Sequence, residues 1–169
     1  MEVFKYKMFS VGYREFLKNT FSFVMVTKDG KTVYNDYVIC YDKNDVRAEI
    51  EKKLSSIFSK QRVGIFRVEI NFVDKLWTPC VTIWLPSDEV ICEELIISKK
   101  PIKDIITTVK KMLTEDVEEY NNFFIIDYLK YGKNINQKNL CAFRIDYTGK
   151  YVTVYADTRE NLFEKLKRM

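Results

Sequence analysis

FSFVMVTKDGKTVYNDYVICYDKNDVRAEIEKKLSSIF, residues 21–58, places a hairpin and a helix in immediate succession. Phe21 to Thr27 and Thr32 to Tyr41 are rich in aromatic and β-branched residues. Lys28-Asp29-Gly30-Lys31 between them is a turn, because Asp-Gly tolerates the positive φ that closes a hairpin. From Lys43 the period changes. Val46, Ile50, Leu54, Ile57 and Phe58 recur every three or four residues through Ser59, which makes a helix with one apolar face and Asn44 or Asp42 as its cap.

The same order returns towards the end of the chain. Leu140 to Tyr147, the turn Thr148-Gly149-Lys150 and Tyr151 to Ala156 predict a second hairpin, and Asp157 or Thr158 caps a helix whose apolar face is Leu162, Phe163 and Leu166. The middle follows more loosely. Val63 to Val73, a connection Asp74 to Pro79 carrying Trp77, Cys80 to Leu85 and Glu89 to Ile97 read as strands. Pro101 then opens a helix with Ile102, Ile105, Ile106, Val109, Met112 and Leu113 on one side, ahead of the acidic Glu115 to Glu119. Val3 to Phe9 and Phe123 to Tyr131 serve as leading strands, although Tyr120 to Tyr131 also reads as an extension of the second helix. The expected fold is α+β: one compact domain of antiparallel sheets with three amphipathic helices, in β-β-β-α units over 1–60, 61–120 and 121–169. A period of that length suggests internal repetition.

Composition narrows the functions available. The chain is 47% hydrophobic and 15% aromatic with five glycines and three prolines, so it can bury a core and disorder is not expected. Its apolar runs, such as Val90 to Ile97 and Phe123 to Leu129, contain Glu93, Glu94 or Asp127 and fall short of the roughly 20 residues of a membrane helix. Met1 to Ser10 alternates lysines with aromatics, unlike a secretory signal, so a cytoplasmic location is expected. Cys40, Cys80, Cys92 and Cys141 each lie in an apolar run without a CxxC pair, which reads as buried thiols rather than metal ligands.

There is no histidine, so the commonest acid–base group near neutral pH is missing. No GxSxG elbow occurs, and the glycines are too scattered for a phosphate-binding loop. The expectation is a non-enzymatic protein with no catalytic residue, no cofactor and no metal. The alternative from a different class is a Mg²⁺-dependent nuclease built on Glu69, Asp74, Asp127 and Lys130, since carboxylates and a lysine hold Mg²⁺ without histidine.

Charge is unevenly spread. The net charge of +4 divides into +3 over residues 1–60, −3 over 61–120 and +4 over 121–169. Basic residues interleaved with aromatics mark candidate nucleic-acid contacts: Lys28, Lys31, Tyr34 and Tyr37 in the first third, and Arg144, Tyr147, Lys150, Tyr151, Tyr155 and Arg159 in the last. Alternation puts Tyr151, Thr153 and Tyr155 on one side of a strand. In the middle third, Glu93, Glu94, Glu118 and Glu119 are candidates for meeting a basic partner surface.

Phe143 to Leu166, FRIDYTGKYVTVYADTRENLFEKL, resembles the arm-type DNA-binding domain of phage and transposon integrases, a three-stranded sheet with a helix. The likeness lies in Gly149-Lys150, Tyr155 and Thr158-Arg159-Glu160, with a fainter echo over Phe23 to Leu54. It implies a sheet that enters the DNA major groove through Arg144, Lys150, Tyr151 and Thr153; the recombinase catalytic residues are missing, so it implies binding without cutting or joining. In size and lack of motifs the chain also resembles anti-CRISPR proteins. The expected function is therefore binding to nucleic acid, or to a nuclease or other nucleoprotein complex, by a protein of phage or mobile-element type. A homo-oligomeric structural module joined through sheet edges is the other alternative.

Overall fold

Residues 1–73, 77–97, 100–136 and 138–169 are described by a computed structural model; they build three antiparallel sheets and three helices, the α+β architecture expected. By internal contacts the chain divides into two units, Met1–Ser59 and Lys60–Met169. The first contains β1 (Glu2–Tyr6), β2 (Phe9–Leu17), β3 (Thr20–Val26), β4 (Thr32–Ile39) and α1 (Val46–Phe58). The four strands are neighbours in chain order. Phe21, Phe23 and Met25 alternate along β3 on the buried side, and α1 buries Val46, Ile50, Leu54 and Phe58. Tyr34 of β4 meets Phe58 edge to face at 6.0 Å, so this is the sheet face that α1 covers. Burying each such side chain stabilises the unit by about 1.5–3 kcal/mol.

The helix begins later than its periodicity suggests. Asp42 accepts the Asn44 amide at 2.9 Å and starts a single 3₁₀ turn, Lys43–Asp45, before α1. The expected leading strand Val3 to Phe9 is also interrupted. Lys7 takes φ 52°, turning the chain between β1 and β2, and Asn19 at φ 59° turns it again into β3.

The second unit comprises β5 (Gln61–Val63), β6 (Phe66–Val73), β7 (Thr78–Trp84), β8 (Val90–Ile96), α2 (Ile102–Thr114), β9 (Glu118–Tyr120), β10 (Phe123–Asp127), β11 (Lys133–Asn134), β12 (Leu140–Ile145), β13 (Tyr151–Ala156) and α3 (Arg159–Lys167). One sheet has the order β11-β8-β7-β6-β5 and the other β13-β12-β10-β9. The single strand expected from Val63 to Val73 is instead a hairpin, because Gly64 at φ 61° reverses the chain between β5 and β6. Phe123 to Tyr131 is a strand only as far as Asp127, whose carboxylate accepts the Leu129 amide at 3.0 Å and starts a 3₁₀ turn. Tyr120 to Tyr131 does not extend α2; Asn121 and Asn122, at φ 48° and 66°, close the β9–β10 hairpin.

Each third of the chain is thus four consecutive antiparallel strands followed by a helix, one strand more than the sequence spacing suggests; β11 alone leaves this pattern to pair with β8. The last hairpin of each third closes with the same five-residue turn. Thr27–Lys31, Leu85–Glu89 and Asp146–Lys150 share two backbone bonds, from the first amide to the fifth carbonyl at 2.8–2.9 Å and from the fourth amide to the first carbonyl at 2.9–3.0 Å. The fourth residue is left-handed each time: Gly30 at φ 84°, Asp88 at 66° and Gly149 at 84°.

Candidate nucleic-acid interface

Strand register separates the charges of the first sheet. Paired residues on adjacent strands point to the same face. The rows Glu2–Tyr13–Phe23–Asp36 and Glu15–Phe21–Val38 therefore lie on the α1 side, whereas Lys5–Ser10–Val26, Val3–Gly12–Val24–Asn35, Arg14–Ser22–Tyr37 and Leu17–Thr20–Ile39 lie on the opposite, open side. All three carboxylates of these strands face α1, and both strand cations, Lys5 and Arg14, face away from it.

Two of the three carboxylates on the helix side, Asp36 and Glu15, are occupied. Asp36 accepts the Tyr34 hydroxyl at 2.6 Å and the Tyr37 amide at 2.9 Å, and it pairs with Lys53 of α1 at 3.2 Å. Burial pushes its carboxyl up, but these three partners outweigh burial and hold it below the usual range. Burial and the adjacent carboxylate push the Tyr34 phenol up. Glu15 accepts the Asn19 amide at 3.1 Å and lies 3.8 Å from Lys43.

No carboxylate of these four strands lies on the open side. Lys5 and Arg14 are exposed, with Lys5 donating to Ser10 Oγ at 2.8 Å. Tyr37 is 51% exposed, Ile39 60% and Val3 63%, while Gly12 in the same row as Val3 is buried beneath the Met1 side chain. Lys53, already paired with Asp36, also stands 5.2 Å from the Tyr37 ring centroid. Lys28 and Lys31 are exposed together at the β3–β4 turn, where Asp29 accepts from Thr27 and has its carboxyl lowered by that bond. Of the expected aromatics, Tyr37 is on the open face and Tyr34 is buried under α1.

In the second unit, the expected contacts diverge. Arg144 pairs with Val152 and lies on the α3 side of its sheet, its guanidinium 4.5 Å from the Phe123 ring centroid; its buried Nε has no hydrogen-bond partner among the described residues. Tyr151, Thr153 and Tyr155 point the other way, where the rest of the unit meets them. Phe143 packs edge-on to Phe66 at 5.4 Å, Thr153 donates to Glu89 at 2.8 Å and 2.9 Å, and Tyr155 donates to the Val90 carbonyl at 3.4 Å. Burial, with Cys141 and Glu89 nearby, pushes the Tyr155 phenol up. Lys150 is exposed at its turn, whose loop amides Asp146 holds. Arg159 donates to both oxygens of Glu118, at 3.1 Å and 2.8 Å.

That last pair joins a cation expected to meet phosphate with a carboxylate expected to meet a basic partner. Lys130 lies 3.7 Å from the same carboxylate. Glu94 accepts from Asn136 Nδ2 at 2.6 Å, while Glu93 and Glu119 are exposed. Of the residues weighed for Mg²⁺, Glu69 is half-buried on β6, Asp127 caps a 3₁₀ turn and Lys130 pairs with Glu118; Asp74 lies outside the described residues. Among the described residues no group of three or more His, Cys, Asp or Glu side chains is gathered where it would hold a metal ion. All four cysteines are buried, and burial pushes the thiols of Cys80 to about 11 and Cys141 to about 12.

Lys5 and Arg14 were not legible as a site. Assigning them to one face requires the β1–β2 register, and the turn that sets it, at Lys7-Met8, contains no Gly, Pro, Asn or Asp. No helix of the described residues is long and apolar enough to cross a membrane. Set against protein-family models, curated proteins and solved structures, the chain matches none of them.

Proposed function

We propose that this protein is a non-enzymatic binding protein that holds nucleic acid on the open face of its first sheet. The observation that carries the reading is the division of charge across that sheet: Lys5 and Arg14 on one side, Glu2, Glu15 and Asp36 on the other. The polar side chains on that face are cationic, hydroxyl or amide, and Lys28 is exposed at the β3–β4 turn. Phosphate contacts of this kind release counterions and weaken steeply with salt.

The test is a mobility shift with labelled DNA at low salt, repeated with the double variant Lys5→Glu, Arg14→Glu and with Lys150→Glu as a comparator in the second unit. The reading expects a salt-sensitive shift that the double variant abolishes and Lys150→Glu largely retains. No shift at low salt, or a shift indifferent to the double variant, would overturn it.

A further inference from the structure

We propose that the occupant of this open face is single-stranded DNA, with a base stacked on Tyr37; the inference rests on the function proposed above and names its substrate class. Four strands about 4.8 Å apart span roughly 14 Å between their outer axes, and more with their side chains. A B-DNA major groove is only about 12 Å wide and admits a helix or a two-stranded ribbon. The intact sheet is too broad to enter it. A duplex could therefore only lie across the face, presenting phosphate and sugar.

The face is a poor match for such a charged surface. Between the Lys5 row and the Arg14 row runs Val3–Gly12–Val24–Asn35, and Ile39 and Leu17 lie beyond Tyr37. Val3, Leu17, Tyr37 and Ile39 are each more than half exposed. Phosphates set against these side chains would lose water without gaining hydrogen bonds. Unpaired bases do the reverse: they cover apolar surface, stack on the exposed tyrosine and leave their phosphates to Lys5 and Arg14. Deoxyribose fits the valine row better than ribose, because Val3 and Val24 offer nothing to a 2′-hydroxyl.

The experiment measures fluorescence anisotropy of the full chain with one mixed-sequence oligonucleotide, as single-stranded DNA, as the same DNA annealed to its complement, and as single-stranded RNA. Tyr37→Ala and Tyr37→Phe are compared in each case, with circular dichroism to confirm folding. Single-stranded DNA is expected to bind at least tenfold more tightly than the duplex and more tightly than RNA. Tyr37→Ala should weaken it roughly tenfold, the scale of one lost stacking contact, and Tyr37→Phe should bind as wild type. Equal or tighter binding of duplex or RNA, or indifference to Tyr37→Ala, overturns this inference while salt-sensitive binding through Lys5 and Arg14 leaves the broader reading standing. Absence of binding by every form overturns both. A dimer in light scattering that Lys5→Glu, Arg14→Glu dissociates would make a second copy the occupant and overturn both as well.

Discussion

Arg159 grips Glu118 with two guanidinium nitrogens, at 3.1 Å and 2.8 Å, and so ties the start of α3 to strand β9. Two side chains that suggest opposite partners when read along the sequence are each other's partner in the fold. Surface potential therefore cannot be read from the charge of each third of the chain.

The pair also sets a pH dependence. The hydrogen bonds from Arg159 come first among the causes that hold the Glu118 carboxyl below its ordinary 4.5. A depressed carboxyl stabilises the fold above its unfolded value, and that contribution is lost as pH falls through the lower folded value. Both side chains are more than 40% exposed, so solvent screening limits the gain at pH 7 to about 1 kcal/mol or less. Urea unfolding of wild type and Glu118→Gln should show that small difference at pH 7 and its disappearance once the Glu118 carboxyl is protonated in the folded chain. Because its charge is already matched, Arg159→Ala should leave nucleic-acid affinity within about twofold, well inside the roughly 1.4 kcal/mol of a tenfold change.

Tyr128 is fully buried and donates to the Ile91 carbonyl at 2.7 Å, joining the turn after β10 to strand β8. Tyr128→Phe keeps the ring and strands that carbonyl. The expected loss is about 1–3 kcal/mol in urea unfolding, the cost of an unsatisfied buried acceptor. A loss below a few tenths would mean that another donor reaches Ile91.

The recurring turn separates backbone strain from packing. A methyl added at Gly30 or Gly149 meets nothing within 4 Å, yet both residues are at φ 84°. Gly30→Ala and Gly149→Ala should each cost about 1–2 kcal/mol, purely through the left-handed conformation. Asp88→Gly, at the same place in the middle turn, should move stability the other way, less the small contribution of the exposed Arg67 pair at 3.2 Å.

Thiol reactivity reports whether the cores of both units are closed. Cys40 is buried in the first unit and Cys80, Cys92 and Cys141 in the second, and burial raises the second unit's three thiols, Cys80 to about 11 and Cys141 to about 12. At pH 8 the native chain should react negligibly with a disulfide reagent over minutes, and all four thiols should react after unfolding in guanidinium. Rapid reaction of the folded protein would contradict the packing.

How much was legible follows from which residues advertise their conformation. Asp29-Gly30 and Gly149-Lys150 mark hairpins, and the spacing of Ile50, Leu54 and Phe58 marks a helix, so the α+β class and three helices follow from sequence. The β1–β2 turn at Lys7 puts a non-glycine residue at positive φ, where local preference gives no warning, whereas the β7–β8 turn at Asp88 falls in the gap between the strands expected from Cys80 to Leu85 and Glu89 to Ile97. Faces were harder still. Alternation correctly groups Tyr151, Thr153 and Tyr155, but only the second sheet of the same unit reveals that Glu89 and Val90 occupy that side. Arg144 lies on the other face because its pairing with Val152, across the turn at Asp146–Lys150, sets it there.

The division of charge across the first sheet is tested most directly by the salt dependence of single-stranded DNA binding for wild type and for Lys5→Gln, Arg14→Gln. Removing two phosphate contacts should flatten the slope of log K against log salt by about 1.4, at roughly 0.7 per contact on a single strand. An unchanged slope, or one flattened equally by Lys150→Gln and Arg159→Gln, would place the contacts elsewhere and contradict the account.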